Sequence, residues 1–200
     1  MRDAQNILDV EKAGTQWMGF IFYPQSPRFV SEVPTYLPKD AKRVGVFVNE
    51  TKEKILETAS RFGLDLLQLH GSESPDFCDE MGKTGLKIIK AFSIGNYFPS
   101  ELVKNYHNVC DYFLFDTKTA AYGGSGKKFN WEILSDYRGT TPFLLSGGIS
   151  PEDVEEVRNF SHPQCIGFDI NSKFEIKPAL KNVEAVEQFI QLVSPATRNS

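Results

Sequence analysis

The stretch from Tyr112 to Gly126, YFLFDTKTAAYGGSG, places an apolar run, one carboxylate and a glycine-rich loop in direct succession. Tyr112-Phe113-Leu114-Phe115 reads as a buried β-strand ending on Asp116. A carboxyl at the C-terminal end of a buried strand, beneath a glycine-rich loop, is where parallel α/β enzymes keep an acid or a base. The simpler alternative is an Asp that hydrogen-bonds its own turn, and this stretch alone does not separate the two. Gly123-Gly124-Ser125-Gly126 with Lys127 lacks the GxxxxGK[ST] spacing of a nucleotide-binding loop, so a mobile lid is the expected role.

Other polar residues collect at the ends of apolar runs. Ser146-Gly147-Gly148 and Asn171-Ser172 follow the last two strand-like segments, where backbone N–H groups can hold a phosphate. A tight strand-to-helix turn explains the same residues without a ligand. Arg28, in SPRF just past a strand end, has the forked donor geometry that suits a carboxylate. On the residues alone a solvated surface arginine is the simpler reading. His70 is equally open. Tyr23, Gln68 and Asp169 also fall at strand ends, and Asn49 and Ser93 are best read as turn caps.

The elements that position these groups alternate along the chain. Helices are expected at 3–14, 51–62, 74–81, 101–107, 130–137, from Ser150 and at 183–193, with a short Pro34-interrupted helical segment before Val44. Apolar runs at 17–23, 44–49, 64–70, 86–92, 112–116, 143–145 and 165–170 are expected strands. Unbroken strand–helix alternation predicts one α/β domain over 1–200 with a parallel sheet and a frayed tail at 194–200. A spacing of about 25 residues per unit fits a (β/α)8 TIM barrel. The chain opens on a helix, however, so the barrel reading requires one more strand upstream of Met1. An open doubly wound sheet is the alternative.

Composition narrows the function classes. With 40 % hydrophobic and 24 % charged residues the chain has the make-up of a folded domain, not of a disordered segment or a fibre. A net charge of −4 and no basic block argue against nucleic acid, while leaving room for a small phosphorylated ligand. Cys78, Cys110 and Cys165 are odd in number and far apart, which suits a reducing cytoplasm rather than a disulfide framework. Neither cysteines nor histidines show metal-ligand spacing. No apolar run is long enough to span a membrane, and the charged N-terminus lacks a signal core.

Taken in order, GFIFYPQSPRFV (19–30), VGVFVN (44–49), LLQLHG (66–71), FLFDT (113–117), GGSGKKFNW (123–131), PFLLSGG (142–148) and GFDINSKFE (167–175) resemble the phosphoribosylanthranilate isomerase family. The match runs across nearly the whole chain. It implies a (β/α)8 barrel without metal or organic cofactor; a monomer is the expected state. It also implies an Amadori rearrangement of N-(5-phosphoribosyl)anthranilate in tryptophan biosynthesis. On the family pattern Asp116 is the general acid, Arg28 holds the anthranilate carboxylate, and His70 lies near the substrate. Gly147, Gly148, Asn171 and Ser172 fall on the phosphate-binding positions.

Two departures stand out. The family's general base is a cysteine in K-[IV]-C-G at the end of the first strand, and Met1-Arg2-Asp3 resembles its immediate continuation. Strand and cysteine are expected upstream, so that a start assigned too late or a shortened chain accounts for the difference. Asn171-Ser172-Lys173 stands where the family often has Ser-Ser-Gly. Two competitors remain. One is another phosphosugar barrel enzyme needing a catalytic Lys at a strand end or metal ligands there, for which Lys90, two residues inside its strand, is poorly placed. The other is a binding barrel that has lost its base.

Overall fold

The computed structural model describes residues 1–117 and 128–194. The first helix, α1 (Ala4–Lys12), starts at Asp3, whose carboxylate accepts the Asn6 N–H at 2.8 Å, and stops before Gly14 at φ +96°. Parallel strands follow as β1 (Trp17–Ile21), β2 (Lys42–Phe47), β3 (Leu66–Leu69), β4 (Lys87–Ile94), β5 (Tyr112–Thr117), β6 (Phe143–Leu145) and β7 (Cys165–Phe168). The helices between them are α2 (Lys52–Phe62), α3 (Pro75–Gly82), α4 (Ser100–Lys104) and α5 (Val154–Asn159), and α6 (Val183–Val193) ends the fold. Each turns an apolar face to the sheet; in α2 that face is Ile55, Thr58, Ala59 and Phe62, at the spacing of helical turns.

Strand order in the sheet is β1-β2-β3-β4-β5-β6-β7, every pair parallel. A doubly wound sheet reverses its order at a switch point; this one never does. The sheet also curls. The rings of Trp17 on β1 and Tyr112 on β5 meet edge to face with centroids 5.0 Å apart. In a flat sheet strands four places apart lie about 19 Å from one another. Trp17 and Tyr112 pack with Val44, Leu66, Ile89, Ala91 and Leu114 on the inner face, while Ile88, Phe92, Phe113 and Phe115 face the helices.

The curl does not close. Among the described residues β1 and β7 each pair with a single strand, so the sheet is an open parallel half-barrel rather than a complete (β/α)8 ring. Gly19 in β1 is exposed, and Ile166 in β7 is 49 % exposed. The Met1 nitrogen donates to Gly19 O at 3.1 Å on the free side of β1. The chain's ends are tied across the gap: Asn6 and Lys181 exchange two hydrogen bonds, at 2.9 and 2.8 Å, and α1 packs on α6.

Several local expectations are corrected. Residues 31–41 contain no helix: Pro34 and Pro38 interrupt the stretch, and its last N–H groups are taken from outside. The Glu11 carboxylate accepts those of Lys39, Asp40 and Ala41 at 2.7–2.9 Å. The segment expected as a helix at 130–137 is a 3₁₀ turn over Trp131–Asp136, whose buried residues Trp131 and Leu134 are spaced by three. The helix expected at 101–107 is reduced to α4. A two-stranded hairpin, β8 (Glu175–Lys177) and β9 (Leu180–Lys181), follows β7 and was not expected. Its turn places Ala179 at φ +67°, a position where glycine usually announces the turn. The glycine-rich loop at 123–126 and the tail at 195–200 lie outside the described residues.

Candidate active site

The C-terminal ends of the strands form one rim, and the polar residues expected to act together are gathered there. Asp116, on the inner face of β5 after Tyr112 and Leu114, is half-buried. Its Oδ1 accepts the Thr117 N–H at 2.7 Å, and its Oδ2 lies 3.5 Å from His70 Nε2. On the other side of the imidazole, Nδ1 meets the Gln68 side-chain nitrogen at 2.8 Å. An amide nitrogen only donates, so Nδ1 accepts, and neutral His70 carries its proton on Nε2, facing Asp116.

Gly147 lies directly against Asp116 and Thr117. A Cβ there would stand 2.3 Å from Thr117 Oγ1 and 2.9 Å from Asp116 Oδ1, and φ is +97°. Only glycine fits. Gly148 follows at φ +71°. Among the described residues the Gly147 and Gly148 N–H groups have no hydrogen-bond partner and lie just past β6, as an oxyanion cradle requires. Asn171 and Ser172 follow β7, the strand beside β6. Asn171 directs both its backbone oxygen and Oδ1 to Lys181 Nζ, at 2.9 and 2.7 Å, which turns its amide nitrogen the other way.

Arg28 is not the solvated arginine of the simpler reading; its side chain is 12 % exposed. Nε donates to both oxygens of Glu175, at 3.0 and 2.9 Å, and Nη2 donates to Oε2 at 2.7 Å. Glu175 also accepts the Ala179 N–H at 3.1 Å and lies 3.3 Å from Lys181 Nζ. Burial pushes the Glu175 carboxyl up, but hydrogen bonds from Arg28 and the charges of Lys181 and Arg28 outweigh it, leaving a net shift below the usual 4.5. Lys181 moves below its ordinary value because burial outweighs Glu175 and Asp169. Asp169 accepts the Ser146 hydroxyl at 2.8 Å; burial first, then the charge of Asp116, raise its pKa.

The sequence of the chain is matched by the profile of the family described as N-(5'-phosphoribosyl)anthranilate (PRA) isomerase over residues 1–192. The chain belongs to this family. It is 53 % identical to the N-(5'-phosphoribosyl)anthranilate isomerase of Phocaeicola vulgatus over 95 % of this chain and 93 % of that one. The isomerase of Parabacteroides distasonis is 50 % identical over 96 % and 90 %. A crystal structure of phosphoribosyl anthranilate isomerase from Thermotoga maritima superimposes with a TM-score of 0.81 at 34 % identity, covering 96 % of this chain and 95 % of that one. A second isomerase structure, at TM-score 0.76 and 30 % identity over 96 % and 98 %, is a complex with reduced 1-(o-carboxyphenylamino)-1-deoxyribulose 5-phosphate.

Within this family frame, the structure brings Asp116, His70 and Gly147 into contact and sets Gly148, Asn171 and Ser172 on the same rim. Arg28 stands at that rim on the arm of Glu175. Lys90 does not point into the cup: it lies on the helix-facing side of β4 and bonds Glu73 at 3.1 Å. Asn49 behaves as a turn cap, as expected, its Oδ1 accepting the Ser72 N–H at 2.7 Å. Glu175 and Lys181 went unassigned in the sequence, since nothing local distinguishes them from surface charges. Among the described residues no cluster of His, Cys, Asp and Glu could hold a metal ion, and no helix is long and apolar enough to cross a membrane.

Proposed function

We propose that this chain catalyses the family's aldose–ketose isomerisation. N-(5-phosphoribosyl)anthranilate becomes 1-(2-carboxyphenylamino)-1-deoxyribulose 5-phosphate in L-tryptophan biosynthesis. The observation that carries the reading is the convergence of an inward carboxyl, an anchored arginine and unpartnered glycine N–H groups on one rim of a chain of this family. In this account the phosphate sits on the N–H groups of Gly147 and Gly148, with Asn171 and Ser172 opposite. Arg28 receives the anthranilate carboxylate. Asp116 gives a proton to the furanose ring oxygen, the ring opens, and a Schiff base forms between C1 and the anilino nitrogen. A base then removes the C2 proton, and the enolamine tautomerises to the ketose. C1 is reduced and C2 oxidised within one molecule, so the balance calls for no cofactor.

The base is the part that these residues leave to another element. Cys78 lies in α3, Cys110 precedes β5 and faces Cys78, and Cys165 begins β7 at the rim opposite the site. We place the family's cysteine on an eighth strand between β1 and β7, which would complete the (β/α)8 barrel. The unpaired edges of both strands and the Met1 nitrogen on Gly19 O support that placement. A binding barrel without turnover is the second reading, favoured by the absence of a rim cysteine among the described residues.

Turnover of freshly generated phosphoribosylanthranilate, followed by loss of its fluorescence, tests both readings. Residues 1–200 are compared with the chain extended upstream by its own codons. Activity confined to the extended chain supports the placement of the base. Equal activity in both puts the base within residues 1–200, and binding without turnover in both favours the second reading. We expect a monomer, which sedimentation checks; a solved relative from Thermotoga maritima is described as dimeric. The cysteine usage suits a cytoplasmic enzyme.

A further inference from the structure

We propose that the buried ion pair Lys90–Glu73 positions His70, holding the imidazole on Asp116. Lys90 and Glu73 have side chains that are each 3 % exposed, and they lie outside the cup, in the layer between sheet and helices. An ammonium taken out of water needs all its protons bonded. Lys90 Nζ finds acceptors at Leu69 O (3.0 Å), Gly71 O (2.8 Å), Ala91 O (3.1 Å) and Glu73 Oε2 (3.1 Å). Leu69 and Gly71 are the residues on either side of His70. One charge therefore grips the backbone before and after the site histidine.

Glu73 completes the grip. Its carboxylate accepts the Gly71 N–H at 3.0 Å and the Asn49 N–H at 2.8 Å, and Tyr106 donates its hydroxyl to Glu73 O at 2.9 Å. Asn49, at φ +50°, lies so close to Gly71 that a Cβ on residue 71 would stand 2.4 Å from Asn49 Oδ1. The loop after β3 is thus fixed to the end of β2 and the middle of β4 from below, with no side chain of the pair entering the cup. Hydrophobic replacement of a buried ion pair is often tolerated for stability. A pair whose bonds go chiefly to the two peptides flanking a site residue has a positional task as well.

The inference rests on His70 belonging to the site, and the test separates the two claims. His70 is observed directly, without ligand, through its imidazole ¹H–¹⁵N signals in the wild type, Lys90→Arg, and the charge-free double variant Lys90→Met with Glu73→Gln. Where a variant is partly unfolded, the signals of the folded fraction are read. The expected result is that the double variant loses the wild-type His70 shifts and that Lys90→Arg keeps them in part. Binding of reduced 1-(o-carboxyphenylamino)-1-deoxyribulose 5-phosphate is then measured in the same variants with and without His70→Ala. If the pair acts through His70, its removal weakens binding in the wild-type background and changes nothing further once His70 is gone. Unaltered His70 signals in a folded double variant, or equal losses in both backgrounds, would overturn the proposal. Failure of the wild type to bind the analogue would instead strike the isomerase reading, leaving the signals to judge the pair.

Discussion

Arg28 and Glu175 are 147 residues apart in the chain and share three hydrogen bonds of 2.7–3.0 Å. Nε and Nη2 face the glutamate, while Nη1 makes no hydrogen bond among the described residues. Glu175 therefore orients the guanidinium and leaves one edge for a ligand. Replacing Glu175 by Gln strands two buried cations, Arg28 and Lys181, and should cost about 3–5 kcal/mol of stability in urea unfolding. Arg28→Lys keeps the charge but loses the fork; binding of the reduced product analogue should weaken about tenfold or more, the worth of one charged hydrogen bond. An unchanged affinity would remove Arg28 from the carboxylate site.

Gly147→Ala tests the packing beside Asp116. Its methyl would press on Thr117 and Asp116 while its backbone sits at φ +97°. The expected loss is about 1–3 kcal/mol of stability, accompanied by weaker binding of the analogue. A variant as stable as the wild type would show that the two loops separate freely.

Much of this architecture is legible in the sequence. The strands are, because buried parallel strands read as continuous apolar runs, and Phe113-Leu114-Phe115 before Asp116 is as plain a signal as a chain offers. Asp116, Gly147 and Gly148 were legible for the same reason: they end such runs. Long-range partners were not. Nothing near Glu175 names Arg28, and Lys90 within β4 looks like an error in an apolar strand until Glu73 and the carbonyls of Leu69 and Gly71 are seen around it. The end of the stretch 31–41 is held by a side chain no local pattern announces: Glu11 from α1 accepts the N–H groups of Lys39, Asp40 and Ala41. The helix expected from Asn130 is a 3₁₀ turn: Asn130 caps it, accepting the N–H two residues on, at 3.0 Å from Glu132.

Glu11 predicts an acid-sensitive corner. Burial, the largest single contribution, raises its pKa, but the N–H of Ala41, the hydroxyl of Tyr36 and the N–H groups of Asp40 and Lys39 together outweigh it and lower the value from 4.5 to about 2. A depressed folded-state value means that the contribution to stability is full above pH 4.5 and is lost as pH falls toward 2. Glu11→Gln should lower the thermal midpoint at pH 7, and the gap from wild type should narrow across that window. A gap independent of pH would contradict the assignment.

Asp169 predicts the opposite slope. Its folded-state pKa is raised, by burial and then by Asp116, so ionising it opposes folding. Asp169→Asn, which can still accept the Ser146 hydroxyl, should raise the thermal midpoint at pH 8 and lose that advantage as pH falls toward the ordinary value of 3.8. A variant less stable than wild type at pH 8 would mean that the ionised carboxylate is held favourably.

The central claim is that Asp116 is the acid of an isomerase, and its most direct test is turnover of phosphoribosylanthranilate by the upstream-extended chain and its Asp116→Asn variant. The account predicts conversion by the former and a loss of about 10²–10⁴-fold in the latter, with binding of the reduced product analogue retained. Equal rates in the two proteins, or a folded extended chain that binds the analogue and never turns over the substrate, would contradict it.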